Sequence, residues 1–292
     1  MKLLEKLNRL FILTLAYFRF KTAKEKGNNA LIFCNNMGIG NFIEYLPTLK
    51  ILIEKHQCDI ITNNPEIKWL CREVLGKGVF DKPYFSHYDY VYCNFLNQTK
   101  ANIKEIIQLN IPNRIGHDYK PQNKWAGIFN LTFPCDDNDN ETEFNLMLAL
   151  RFYFDGKFEH KFNNKKGDYI AIQCGATVDR EREYPHMGLL IRALTERNKV
   201  ILVGTYEERN RYNHLVPAED VTFEETCHQI QSARLYIGCD AGLTHVAWMC
   251  KTPSIVIWNK TESLNRCMHE ESINLYRPTV KTILKIADGL LN

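Results

Sequence analysis

The chain has 292 residues, 45% of them hydrophobic and 12% aromatic, which suits about two domains with buried cores. The net charge of +3 is too small to argue for nucleic acid, and residues 1–26 carry seven Lys/Arg against two Glu, so residues 27–292 sum to −2. Ten cysteines without a C-x-x-C pair and nine histidines without an H-E-x-x-H cluster argue against a disulfide framework or a zinc site, and point to a reducing, cytoplasmic compartment.

The N-terminal tail holds a nine-residue apolar run, Leu10–Phe18, between Lys6 and Arg9 on one side and Arg19, Lys21, Lys24 and Lys26 on the other. The run is too short to span a bilayer, which needs roughly 20 residues, and no small-residue cleavage site follows it. Leu3, Leu7, Leu10 and Phe18 share one helical face. A basic amphipathic helix of this kind either lies on an anionic membrane surface or packs on its own protein with its lysines outward.

Ala30–Cys34 reads as a buried strand that runs into the glycine-bearing turn 35–41, and Phe42–Lys55 as a helix. The G-x-G of Gly38 and Gly40 lacks the third glycine of a dinucleotide fingerprint. Asp59–Thr62 and Tyr88–Asn94 read as strands, Pro65–Leu75, Ala101–Leu109 and Glu141–Phe154 as helices. Residues 113–140 show little periodicity and are expected to form a long loop. The polar, basic stretch Asp155–Gly167 is the best domain boundary. It divides the chain into an N-terminal helix (1–26), a first α/β domain (27–160) and a second (161–292), whose last helix is free to pack back on the first. In the second half Tyr169–Gln173 and Lys199–Val203 read as strands, and His186–Arg197, Phe223–Ala233 and Pro278–Leu291 as helices.

The most informative segment is Leu235–Trp258. It reads as a buried strand, a turn at Asp240, Ala241 and Gly242, a helix through Leu243, Thr244, His245, Val246 and Ala247, and a second buried strand after Pro253. A β-α-β unit of this kind puts a helix N-terminus at the carboxyl edge of a parallel sheet, where an anion is favoured. Ordinary capping of the helix by Asp240 is the competing explanation.

Four segments in order, GIGNFIEYLPTL (38–49), AIQCGATVDREREYP (171–185), LVGTYEE (202–208) and GCDAGLTHVAWMCKTPSIVIW (238–258), resemble glycosyltransferase family 9, the heptosyltransferase-like enzymes of lipopolysaccharide assembly. The resemblance covers roughly residues 28–290. It implies an α/β architecture of the GT-B type, with two Rossmann-like domains facing across a cleft, and an inverting, metal-independent transfer with no cofactor. The donor, a nucleotide-sugar such as ADP-heptose, would sit on the C-terminal domain, and a glycolipid or oligosaccharide acceptor mainly on the N-terminal one, at the cytoplasmic face of the membrane.

Carried over by residue, the resemblance assigns the donor diphosphate to Asp240, Ala241, Gly242, Leu243, Thr244 and His245, with Thr177, Arg182 and Thr261 nearby, and the ribose to Glu207 or Glu208. Arg182 stands where the family usually has Lys in K-x-W-P, and Tyr184 replaces the Trp. On the acceptor side, Gly38 and Gly40 precede Asn41, which occupies the place of the family's catalytic Asp. An amide orients a hydroxyl but cannot serve as base, so Glu44, one turn later, is the nearest substitute. Its bland alternative is a helix-surface carboxylate. WNKT at 258–261 departs from the family's F-G-P-T and weakens any transfer of donor sugar identity. Loss of the Asp also motivates a sugar-nucleotide-binding protein without transfer, and the fold alone admits another enzyme such as an epimerase.

Overall fold

The computed structural model describes residues 27–85, 87–119, 125, 127–136, 138–149, 158–162, 166–176, 179–260, 269 and 271–292. The expected amphipathic helix over 1–26, Thr177 and Thr261 lie outside the described residues. By its contacts the chain forms two compact units, one of residues 1–37 and 44–157, the other of residues 38–43 and 158–292.

The first unit is built on five parallel strands, β1 (Asn29–Phe33), β2 (Gln57–Ile61), β3 (Tyr90–Cys93), β4 (Asn113–Tyr119) and β5 (Leu131–Cys135), in the order β2-β1-β3-β4-β5. Helices α1 (Ile39–Lys55), α2 (Pro65–Leu75) and α3 (Lys100–Gln108) follow β1, β2 and β3 in turn, and α4 (Glu141–Met147) follows β5. β1 and β3 read as unbroken apolar runs because a central parallel strand is covered on both faces, and every residue of Ala30–Phe33 and Tyr90–Cys93 is buried. Leu31, Phe33, Val91, Ile103, Ile106 and Ile111 form the centre of one core cluster. The cap residues lie where helix termini require acceptors: Asn64 accepts from Glu66 N and Ile67 N at the start of α2, and Gly76 ends it in the left-handed region at φ 61°.

Two expectations fail here. Residues 113–140 are not one loop, since β4 and β5 lie within them. β4 is rich in turn-forming residue types (Asn113, Gly116, Asp118), yet it is a central strand whose buried His117 donates from Nε2 to the Phe144 carbonyl at 2.8 Å. β5 contains Pro134, which an edge strand tolerates because one side of its ladder is unpaired. The helix after β1 also begins earlier, at Ile39, so Gly40 and Asn41 belong to its first turn.

The second unit repeats the design with β6 (Ile170–Gln173), β7 (Val200–Val203), β8 (Leu235–Cys239), β9 (Ser254–Trp258) and β10 (Ile273–Tyr276), all parallel, in the order β10-β9-β8-β6-β7. Its helices are α5 (Met187–Thr195), α6 (Tyr206–Asn210), α7 (Phe223–Ser232), α8 (Gly242–Met249) and α9 (Val280–Leu291). Leu190, Ile191 and Leu194 of α5 pack with Ile172, Ile237 and Ile257 of the sheet, and α9 adds Ile283 and Ala287 to the same core. Burying an Ile of this kind contributes about 2 kcal/mol. Both sheets therefore have the doubly wound order 2-1-3-4-5, in which strand order reverses beside the first strand and opens a crevice at its carboxyl end. In the second unit that crevice lies beyond Gln173 of β6 and Cys239 of β8.

The nine described cysteines are free thiols, and all but Cys58 are buried. Burial pushes Cys239, Cys250 and Cys71 up to about 12, so these thiols are packing residues rather than nucleophiles.

Candidate active site

The segment after β8 supplies a helix N-terminus at the crevice of the second unit. Every residue of β8 is buried, and Gly238 is forced by its neighbour: a Cβ there would lie 2.4 Å from the hydroxyl of Tyr236, two residues earlier on the same strand face. Tyr236 in turn donates to the side-chain oxygen of Gln173 on β6, which ties the two strands together. The N-cap of α8 is Ala241, and no side chain caps it. Asp240 does not act as the helix cap that ordinary strand-to-helix turns would predict. Its carboxylate, 7% exposed, faces the Arg182 guanidinium instead, Oδ2 to Nη1 at 3.0 Å. The leading N–H groups of α8 and their dipole are thus not neutralised by a capping oxygen of the preceding side chain.

Of the expected ligand residues in this turn, Leu243, Thr244 and His245 are buried. Thr244 donates from Oγ1 to the Cys239 carbonyl at 2.6 Å and lies 3.2 Å from the Tyr236 hydroxyl. His245, on the first turn of α8, is 5% exposed, and its Nδ1 lies 2.8 Å from Nε2 of His269.

The segment after β6 brings a set of charges to the same end of the sheet. A short 3-10 turn, Arg180–Arg182, starts at Asp179, whose side chain accepts from Glu181 N. Asp179 Oδ2 lies 3.5 Å from Arg182 Nε and 2.9 Å from Lys260 Nζ, and Lys260 also meets Glu181 at 2.5 Å. The Lys260 hydrogen bond holds the Asp179 carboxyl below the usual range, and the hydrogen bonds to Glu181 and Asp179 raise the Lys260 ammonium. Arg211 grips Glu183 in a two-pronged pair at 2.8 and 3.0 Å. Burial alone would raise Glu183, but the Arg211 bonds and the Ala176 N–H outweigh it and its carboxyl is lowered. Tyr184, in the place of the family's Trp, is a core residue: it is 3% exposed, and its hydroxyl donates to the Pro278 carbonyl at 2.9 Å. Beside this loop an open cavity of about 430 Å³ is lined in part by Arg180, Glu183, His186, Asn259 and Arg277. Asp179, Glu181 and Asp240 each face a Lys or Arg, so they form ion pairs rather than a cluster suited to a cation.

Glu207 and Glu208 are placed differently. Thr205 caps α6, and Glu208, at N3, returns Oε2 to Thr205 N at 2.9 Å in a capping box. Glu208 is 6% exposed, whereas Glu207 has an 80% exposed side chain 3.4 Å from Arg180. Gly204, at φ +128°, makes the turn, and a Cβ there would come within 2.6 Å of Glu208 Oε2.

The acceptor-side residues divide between the units. Gly38, Gly40 and Asn41 group with the second, and a Cβ on Gly40 would lie 2.6 Å from His245 Cδ2. This close approach accounts for a glycine in the first turn of α1. Glu44 groups with the first unit and is fully buried, so it is not the helix-surface carboxylate of the bland reading. His269, Asp179, Glu183 and Arg211 were not among the expected residues. The alternating charges of DRERE (179–183) carry a signal for the loop; His269, 24 residues beyond His245 and outside any periodic segment, carries none.

A family profile described as glycosyltransferase family 9 (heptosyltransferase) matches residues 123–277, which include three of the four segments above. The chain belongs to glycosyltransferase family 9. It is accordingly a glycosyltransferase, and no curated protein matches it in sequence. Among solved structures it is similar to E. coli ADP-heptose lps heptosyltransferase II, with a TM-score of 0.69 and 14% identity, covering 90% of this chain and 98% of that one. It is also similar to E. coli heptosyltransferase WaaC with ADP-2-deoxy-2-fluoro heptose, at 0.63 and 14%, covering 89% and 99%. The iron-containing dodecameric glycosyltransferase TibC of enterotoxigenic E. coli is similar at 0.52 and 13%, covering 85% and 62%. With two parallel sheets of the same order, these likenesses bear out the α/β GT-B fold.

Proposed function

We propose that this glycosyltransferase moves a sugar from a nucleotide-sugar of the ADP-heptose kind to a lipopolysaccharide or lipooligosaccharide acceptor, with inversion and without a metal. The observation that carries the donor assignment is the Arg182 guanidinium, 3.0 Å from Asp240, beside the uncapped N-terminus of α8 at the crevice of the second sheet. Fixed N–H dipoles and a planar cation suit a diphosphate, whose charge grows as it leaves. The similar E. coli heptosyltransferase WaaC binds ADP and ADP-2-deoxy-2-fluoro heptose, which favours an adenine nucleotide.

The transfer is one displacement. The acceptor hydroxyl oxygen bonds to the anomeric carbon while the bond from that carbon to the diphosphate oxygen breaks, and the hydroxyl proton passes to a base. In this reading Asn41 orients the hydroxyl and Glu44 is the carboxylate nearest in sequence that can take the proton. Glu207, exposed, is the better ribose partner, because Glu208 is occupied by its capping box. In this reading Arg182 and Lys260, paired with Asp179, Glu181 and Asp240, turn part of that pairing to the diphosphate in place of a metal, so EDTA should leave turnover unchanged. Among the described residues no helix is long and apolar enough to cross a membrane. The basic, apolar residues 1–26 would instead bring the enzyme to an anionic bilayer carrying its glycolipid acceptor.

A thermal-shift panel of ADP-, UDP-, GDP- and CMP-sugars tests the donor. ADP-sugars should raise the melting temperature most, and stabilisation by another nucleotide alone would overturn the ADP assignment.

A further inference from the structure

We propose that His269 is a positioning residue that donates its Nε2–H to Nδ1 of His245 and thereby locks His245 as the neutral tautomer with its proton on Nε2, a hydrogen-bond donor for the sugar diphosphate. This rests on the donor assignment above and adds the residue that makes His245 fit for it. The two ring nitrogens are 2.8 Å apart and the rings cross at 86°. Two imidazole nitrogens at that distance share one proton: one must be N–H and the other a lone pair. The contact therefore couples the tautomers of both residues.

His269 is held from three directions. Its ring stacks on Trp248 at 4.2 Å and 6°. Trp248 is one helical turn beyond His245, so the stack and the hydrogen bond occupy one face of α8. Trp248 is fixed in turn by donation from Nε1 to Glu271 at 3.1 Å, and Glu271 also pairs with Lys251 at 3.0 Å. The His269 carbonyl accepts from Ser272 N at 3.1 Å and Asn274 Nδ2 at 2.9 Å. Both imidazoles are buried, at 5% and 6% exposure. Burial, with the neighbouring His245 and Lys251, pushes the His269 imidazole down to about 2, so it stays neutral at any working pH.

The ligand chemistry then selects between the two tautomer pairs. A helix N-terminus attracts an anion, and an anion needs a donor. If a neutral His245 donated to His269 instead, it would present a lone pair at Nε2 and repel phosphate oxygen, and a His245 protonated on both nitrogens would overturn the proposal. If His269 donates, His245 presents an N–H while uncharged, as a neutral imidazole at a helix N-terminus does in other enzymes.

The test uses the full chain labelled with 15N-histidine. Long-range 1H–15N spectra of the free protein, with His245 assigned by the His245→Gln variant, should show His245 protonated on Nε2 across pH 6–8. Addition of ADP should shift that N–H. His269→Phe keeps a ring on Trp248 but removes the donor; it should lose the single tautomer and weaken ADP binding about fivefold, the worth of one hydrogen bond of ~1 kcal/mol. His269→Gln, which retains an N–H donor, should restore both. A His245 protonated on Nδ1, or a His269→Phe variant with unchanged tautomer and ADP affinity, would overturn the proposal. So would a stoichiometric metal bound by the two facing nitrogens. The tautomer is read without ligand, so a correct tautomer that ADP leaves unmoved faults the donor assignment and not the hydrogen bond.

Discussion

Arg182 gives the sharpest test, because two different roles predict different double mutants. Its side chain is 34% exposed and that of Asp240 is 7% exposed, at 3.0 Å. Truncating one partner of a fully buried pair costs roughly 3–5 kcal/mol, mostly by stranding the other charge. With a third of the guanidinium in solvent, screening reduces that to ~1–2 kcal/mol. Arg182→Ala should therefore lower urea stability by ~1–2 kcal/mol. If Arg182 also holds the diphosphate, ADP affinity should fall about 10–70-fold, the loss of one charge-assisted contact of ~1.5–2.5 kcal/mol. The double variant Arg182→Ala/Asp240→Asn removes the stranded carboxylate. It should recover most of the stability and none of the affinity, as measured by urea titration and calorimetry. Recovery of affinity along with stability would refute the reasoning, since Arg182 would then serve only to neutralise Asp240.

Lys260→Ala should weaken ADP binding about threefold and reduce its salt dependence, read by calorimetry at two ionic strengths, because it removes a cation from the same charge network. Gly204→Ala should cost about 2–3 kcal/mol of urea stability, since φ +128° strains an L-residue and the new Cβ displaces the Glu208 cap. His117 sets a pH dependence. Burial pushes its imidazole down to about 4, so the unfolded chain binds the extra proton first as pH falls. Stability is complete above about 6.5 and should decline toward pH 4 by up to ~3 kcal/mol, at about 1.4 kcal/mol per pH unit. His117→Gln should flatten that slope in urea titrations at pH 7 and pH 4.5.

The fold was legible where burial dictates composition. Strands covered on both faces, such as β1, β3 and β8, can be written only in apolar residues, and α2 carries its own start and stop in Asn64, Pro65 and Gly76. β4 and β5 were not legible, because Asn113, Gly116, Asp118 and Pro134 are turn formers in isolation. Only their neighbours in the sheet, and the Phe144 carbonyl waiting for His117, make them strands. The site was legible as segments but not as contacts. Asp240 looks like an N-cap on local grounds, and its actual partner is 58 residues earlier in sequence. Glu208 looks like a ligand carboxylate until the Thr205 cap is seen. His269 has no local signature, since its role depends on a distance set by the fold.

Apart from Asn41, the departures from the family pattern are physically one feature. Arg182 and Tyr184 stand in the loop after β6, and Asn259 and Lys260 in the segment after β9, where the family has Gly and Pro. Asn259 donates from Nδ2 to the Glu183 carbonyl, and Lys260 binds Asp179 and Glu181, so the second altered segment is bonded to the first. Arg277 adds a bond from Nε to the Asn259 carbonyl at 3.1 Å. Gly and Pro at 259–260 could make neither side-chain contact. Restoring them alone would leave Asp179 with Arg182 at 3.5 Å and so draw the guanidinium away from Asp240, whereas restoring the first loop alone would leave Lys260 facing an altered set of acids. The two segments thus depend on each other for charge balance. Any difference in donor from other family members should therefore follow the pair together rather than either substitution alone.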